Sequence, residues 1–404
     1  MSHAARHAPR VIRVGAVALV ATALFGAMLG LSLAPDPEPE AVPAYVVFAN
    51  NDLGMHCMQR DFSHMLILPP YNTVQAVVLK RGPEPDIITE GAPDFELRYT
   101  IPSNTTSVGK TDWWTYQHDL LGIDMPADVG LTGNGLFGSL EPIPALRKWE
   151  VTGIPLTPIN DAGLDDPYPL ATLSLYREGA LVAQTQTVLP VSWEVSCNLC
   201  HGDASTGVED DILQDHDRLH ATNLFNSQPV FCAGCHSDPA LGAPGQPGIS
   251  SFSSAMHTAH APRLDQLPPD FGNSCYSCHP GRRAQCQRDV HYANGVQCME
   301  CHGTMADVGS PARTPWVDEP RCADCHSRPG FQFEQPGTLY RNSVGHKGVA
   351  CFACHGSPHA ITPTVTERDN LQAIRAQGHS GIIAECTACH TQTPGEPFFH
   401  KVED

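Results

Sequence analysis

Residues 345–359 read Gly345-His346-Lys347-Gly348-Val349-Ala350-Cys351-Phe352-Ala353-Cys354-His355-Gly356-Ser357-Pro358-His359, and their centre, Cys-x-x-Cys-His, decides how the chain is built. There Cys351, Cys354 and His355 form the motif. The same pattern stands at Cys197, Cys200 and His201; at Cys232, Cys235 and His236; at Cys275, Cys278 and His279; at Cys298, Cys301 and His302; at Cys322, Cys325 and His326; and at Cys386, Cys389 and His390, which makes seven copies. Two thiols at this spacing can each form a thioether to one edge of a single macrocycle, while the adjacent imidazole reaches its iron. The pattern is the attachment motif of c-type haem. One Cys-x-x-Cys fits a redox dithiol or half of a zinc site equally well. Seven copies, each followed by His, predict seven covalent haem c groups with His201, His236, His279, His302, His326, His355 and His390 as proximal iron ligands.

Working outward, residues 196–404 are the motif-bearing domain, and its span 197–400 gives each haem roughly 29 residues, too few to enclose it separately, so the macrocycles are expected to pack together as the core. Successive first cysteines lie 35, 43, 23, 24, 29 and 35 residues apart. Such intervals suit short helices and loops, and stretches such as 239–248 and 310–315 carry turn residues. Residues 45–195 hold no motif and are rich in β-branched residues, Pro and Gly. The runs 44–48, 73–79, 95–101 and 171–176 read as strands, and 172–176 with 181–188 reads as a hairpin through Glu178-Gly179. The predicted fold is an N-terminal antiparallel β domain, sandwich-like, followed by a loop-rich, sparsely helical multihaem cytochrome c domain.

Residues 1–44 read as a signal peptide or membrane anchor with a Pro/Glu tether. Arg6, Arg10 and Arg13 precede an uncharged apolar run at 14–34, which sends the rest of the chain out of the cytoplasm, to the periplasm or cell surface, or anchors it in the membrane facing the periplasm. Acidic residues outnumber basic ones 43 to 24, which argues against nucleic acid and for cationic redox partners or an extracellular electron acceptor. Cys57 and Cys286 stand outside the motifs, as a disulfide or as two separate thiols. The loop Asn50-Asn51-Asp52-Leu53-Gly54-Met55-His56-Cys57-Met58 either ligates a metal or caps an exposed haem, or is a structural loop with an ordinary histidine and a structural cysteine. His118 reads as a packed or surface residue.

The sixth coordination position decides what each iron does. A second imidazole suits electron transfer, whereas an open position suits binding and reduction of small molecules. Nine non-motif histidines follow Cys197, enough to saturate every iron. The candidate distal ligands are His216, His220, His257, His260, His291, His346, His359 and His379; His400, near the terminus, is the weakest. His216 and His220, like His257 and His260, share a helix face and are placed to serve two neighbouring haems. Met256, Met299 or Met305 would raise the potential of a site where it replaced histidine.

With the haem motifs, the context Gly345-His346-Lys347-Gly348-Val349-Ala350-Cys351, Cys354-His355-Gly356-Ser357-Pro358-His359 and the His56 loop in hand, the chain resembles the multihaem c-type cytochromes of metal-respiring bacteria over residues 197–390. The stretches 53–57 and 68–72 look like an N-terminal module found on some of them. The resemblance implies stacked bis-histidine haems that carry electrons across or away from the envelope. Related families include reductases of nitrite, hydroxylamine or tetrathionate, some with Lys replacing the motif His; all seven motifs here keep His. The expectation is an exported electron relay rather than a substrate-specific enzyme. Two alternatives stand beside it: a reductase of a nitrogen or sulfur oxyanion with one open haem, for which Arg282-Arg283 is the basic pair, and a homo-oligomeric, haem-bearing filament in which His56, His64 or His400 is donated to a neighbour.

Overall fold

Side chains along a strand alternate between two faces, so each strand can serve two cores. The computed structural model describes residues 43–91, 93–266, 274–395 and 400. In the main sheet the strands Tyr45–Asn51, Val74–Lys80, Lys148–Val151, Phe137–Ile143, Phe95–Thr100, Leu170–Arg177 and Ala180–Val188 lie side by side in that order, all antiparallel, with Asp86–Ile87 paired to Val74–Lys80 off this path. The first and last strands come against one another, so the sheet curls nearly into a barrel. The expected antiparallel β domain is present, and its layering arises from one sheet folding over on itself. Glu178 and Gly179 join the last two strands with φ of 50° and 81°. Positive φ at both central residues gives a turn whose twist matches that of the strands.

Val47, Ala49, Val74, Ala76, Val78, Leu97, Tyr99, Leu173 and Leu175 fill the inside of the curl. The helix Trp113–Leu121 adds Trp113 and Leu120 to the same core, with Phe62 edge-on to the Trp113 ring at 5.1 Å. The opposite face of the first two strands is also buried. Phe48, Val77 and Leu79 join Ala350, Phe352, Ala353, Ala373, Ile383 and Ala388 in a second core. That two-sided burial is why Val74–Lys80 is apolar almost throughout instead of alternating.

The motif region therefore docks on the sheet, and residues 43–404 form one unit. Backbone and side-chain bonds reinforce the junction: Gln372 Oε1 accepts from the Ala49 N–H at 2.7 Å, Asn50 Nδ2 donates to Phe352 O at 2.9 Å, and Arg81 Nε donates to Ala388 O at 3.0 Å. Lys148, only 2 % exposed, reaches Glu150 at 2.8 Å and Asn342 Oδ1 at 3.0 Å.

Beyond the sheet the chain is sparsely helical, as the spacing of the motifs predicts. Among the described residues its two longest helices there are Val208–His220 and Glu367–Gln377, and Phe252–His260 starts from a Ser251 cap whose hydroxyl accepts from Ser254 N at 3.2 Å. Glu209, Asp210 and Asp211 occupy the first turn of Val208–His220, and Arg218 and His220 its last, a charge order that favours the helix dipole. The apolar run at 14–34 lies outside the described residues. Among the described residues no helix is long and apolar enough to cross a membrane.

Candidate haem sites

Each motif closes into one helical turn. The His N–H donates to the carbonyl of the first cysteine in His201 (2.9 Å), His236 (3.1 Å), His279 (2.9 Å), His326 (2.8 Å) and His390 (2.8 Å), and the other two motifs are the short helices Cys298–His302 and Cys351–His355. The second cysteine closes the same turn: Cys200 N donates to Cys197 O at 3.1 Å, and Cys235 N donates to Cys232 O at 3.2 Å. One turn sets both thiols and the imidazole on neighbouring parts of the same surface, as attachment to one macrocycle requires.

Among the described residues, none of the motif cysteines is consumed by a disulfide. Their surroundings differ. Cys200, like Cys278, Cys301, Cys322 and Cys325, is exposed, whereas Cys235 is half-buried and its Sγ accepts from Gln246 Nε2 at 3.2 Å. A thioether sulfur can still accept weakly, so the Gln246 contact at Cys235 is compatible with attachment.

A second histidine ring then faces each motif ring. The centroid separations are 6.3 Å for His201 and His260, 6.3 Å for His236 and His216, 6.2 Å for His279 and His257, and 5.9 Å for His302 and His359. They are 6.1 Å for His326 and His291, 5.6 Å for His355 and His400, and 6.2 Å for His390 and His346. A metal–imidazole bond is about 2 Å long and a nitrogen sits roughly 1 Å from its ring centre, so two imidazoles on opposite sides of one metal lie about 6 Å apart. All seven separations match that span. In the His355 and His400 pair, the two Nε2 atoms face each other at 3.4 Å.

Hydrogen bonds at the other ring nitrogen orient these rings. Nδ1 contacts a backbone carbonyl in His236 (Ser250 O, 2.9 Å), His257 (Ser253 O, 2.7 Å), His260 (Met256 O, 2.7 Å), His390 (Pro83 O, 2.8 Å) and His400 (Gln332 O, 2.9 Å). A carbonyl only accepts, so Nδ1 carries the proton and Nε2 keeps its lone pair for a metal. Carboxylates do the same at His201 (Asp211, 3.2 Å) and His291 (Asp289, 3.0 Å). Asp211 and Asp215 cluster with His201 on its Nδ1 side, where they hold the ring. Burial, followed by the neighbouring imidazoles, lowers His279, His302 and His355 to about 4 each, whereas at His359, which faces His302, burial is outweighed by the adjacent Cys286 and the value is raised to about 9. The residues present fit haem c.

Sequence neighbourhood is a poor guide to these pairs. His346 precedes Cys351 by five residues yet faces His390, and His291 precedes Cys298 yet faces His326. His257 and His260, on one helix, face two different motifs. His220 is exposed and its ring lies 4.8 Å from that of His216, while His379 is exposed with Glu385 at 3.8 Å. Among the described residues, neither faces a motif histidine. His400 takes such a place; its only sequence signal is its position just past the last motif. Met299 is exposed.

The loop at 50–58 is built as structure. His56 is buried with Nε2 on Asp52 at 2.7 Å, and Met55 and Met58 are buried. His64 sits half-buried 3.7 Å from Asp210, and His118 is exposed beside Asp124. Cys57 and Cys286 are free thiols rather than a disulfide, and burial together with Cys286 pushes the Cys57 thiol up. Arg283 pairs with Asp165, and the backbone N–H groups of Arg282, Arg283 and Ala284 all donate to the Glu194 carboxylate.

A family model described as cytochrome c554 and c-prime matches residues 306–356, which contain the motifs at 322–326 and 351–355. No curated protein and no solved structure matches the chain. The match supports a c-type cytochrome: an electron carrier with covalently bound haem c.

Proposed function

We propose that the chain is an exported heptahaem cytochrome that relays single electrons to an extracytoplasmic acceptor. The observation that carries this is the one-to-one facing of seven motif histidines by seven others at a metal-bridging distance. Haem with two axial imidazoles supplies one-electron chemistry at a six-coordinate iron. The protein's part is to fix those imidazoles, hold Nδ1 protonated and bring the sites close together.

Thiols of neighbouring motifs lie within electrostatic reach of one another in succession. Burial and then Cys278 push the Cys197 thiol up to about 11, and a hydrogen bond with Cys298 raises Cys275. Burial and then Cys325 raise Cys301; burial and then Cys322 bring Cys351 to about 11; burial and then Cys389 bring Cys354 to about 12. The motif at 232–236 joins through two helices: its His236 faces His216 on Val208–His220 and lies 6.3 Å from Phe252, which begins the helix carrying His257 and His260. These links order the sites as a path from His236 through His201, His279, His302, His326 and His355 to His390. Its ends are the places for exchange with redox partners, and the acidic balance suits cationic ones. The positive residues before the apolar run at 14–34 support export, to the periplasm, a membrane-anchored position facing it, or the cell surface.

A reductase needs an open sixth position, and every motif histidine here has a facing ring. Two of the three donors named for the filament alternative are engaged within the chain: His400 faces His355 and His56 is bonded to Asp52.

Two measurements test the relay. A reductive titration should spread over a wide range of potential with one-electron slopes, and a two-electron step would contradict it. His400→Ala should convert one ferric haem from low spin to high spin, whereas His379→Ala and His220→Ala should convert none; the reverse result would overturn the pairing.

A further inference from the structure

Among the described residues, the loop at 50–58 gathers no cluster of three metal-ligating side chains, yet it lies against one histidine of the array. Gly54 has φ of +82°, and a Cβ built on it would stand 1.7 Å from Pro358 O and 3.2 Å from the His359 Cβ. Only glycine permits this approach. Ser357 Oγ donates to Asn51 O at 2.7 Å, which ties the loop to the turn that carries His359. From the other side, Cys286 Sγ lies 3.8 Å from His359 Nδ1, and Arg288 N donates to His359 O at 2.8 Å. Arg288 ties the two sides together: its Nη1 donates to Gly54 O at 2.6 Å and to Cys286 O at 3.2 Å.

His359 needs this restraint. Its φ of +59° is the left-handed conformation, which is strained for a non-glycine residue and persists where the surroundings hold it. A histidine that faces His302 across 5.9 Å from a strained backbone, with Cys286 at its ring and Gly54 packed against its backbone, has its orientation set by those contacts rather than by its own rotamer preference.

We infer that the Asn51–Gly54 segment of the β module, with Cys286 and Arg288, is a clamp that positions His359 as the second ligand at the site of Cys298, Cys301 and His302, so the β module sets ligation in the middle of the haem path. The inference rests on the pairing of His359 with His302. It gives Cys286 a use as a sulfur acceptor for the ring Nδ1–H, and it explains why a loop rich in metal-binding residue types directs them elsewhere. Asn51, Gly54, Cys286 and Arg288 are positioning residues.

The test compares Gly54→Ala, Cys286→Ala and Cys286→Ser with the parent holoprotein. The readouts are haem content, the EPR spectrum of the oxidised form and the reductive titration. Gly54→Ala should keep the full haem complement, lose one low-spin signal and leave the rest unmoved. Cys286→Ala should alter the g values and raise the potential of one haem, and Cys286→Ser, which restores an acceptor, should return both toward the parent. Parent-like spectra and potentials in both alanine variants would overturn the clamp. His359→Ala in the same series separates the two ideas. One new high-spin haem there, with Gly54→Ala and Cys286→Ala unchanged, rejects the clamp while keeping the pairing. No high-spin haem there rejects the pairing and the clamp with it.

Discussion

Arg288→Ala lowers the unfolding free energy by about 3–5 kcal/mol, because it strands a carboxylate that has no water to turn to. The Arg288 side chain is 0 % exposed and Asp369 is 9 % exposed; the two form a bidentate pair with N···O distances of 2.7 and 2.9 Å. Burial opposes the guanidinium charge, and Asp369 more than offsets it, so the Arg288 pKa is raised. The same side chain joins the loop at Gly54, the segment at Cys286 and the helix Glu367–Gln377, so three parts of the fold lose their common tie. Removing one partner is the costly change. Arg288→Met combined with Asp369→Leu, which removes both charges, should recover most of the loss. Arg218→Ala is the surface control: that arginine is 66 % exposed and pairs with Asp215, itself 39 % exposed, and its loss should cost no more than about 1 kcal/mol. Guanidinium unfolding curves with slopes compared across the set provide the check. An Arg288→Ala midpoint equal to that of Arg218→Ala would sink the argument.

Phe352→Ala is the second large effect, at about 3–5 kcal/mol. Phe352 is 2 % exposed, in the core shared by the outer face of the first two strands and the last two motifs. It lies between Cys351 and Cys354, so a cavity there loosens the sheet contact and the motif turn together. Phe137, 74 % exposed on a sheet strand, serves as the comparison: Phe137→Ala should change stability by no more than about 0.5 kcal/mol. Equal losses at the two positions would mean that the sheet and the motif region do not share a core.

What the sequence reveals depends on whether the governing interaction is local. The attachment motif is a one-turn device, legible from five residues, and so is the hairpin turn at Glu178-Gly179, where both residues need positive φ. Strands such as Phe95–Thr100 alternate plainly and are read at once. The strands Phe137–Ile143 and Lys148–Val151 are harder: Pro142 interrupts the first, and the second is short and holds a buried lysine whose partners lie far along the chain. The distal rings show the limit most clearly. Nothing within ten residues of His346 points to His390, because the pairing is made by docking both motifs on the sheet, where Pro83 O holds the His390 ring. His379 has the more suggestive local context and ends in solvent. His359 illustrates the same point from the other side, since the loop that grips it is more than three hundred residues away in sequence.

The central claim is that seven motif histidines and seven facing histidines make seven six-coordinate haem irons. The EPR spectrum of the fully oxidised, purified protein, with haem quantified on the same sample, tests it most directly. The account predicts seven haems per chain, all low-spin. A high-spin ferric signal amounting to one haem or more in the unmodified protein would contradict it.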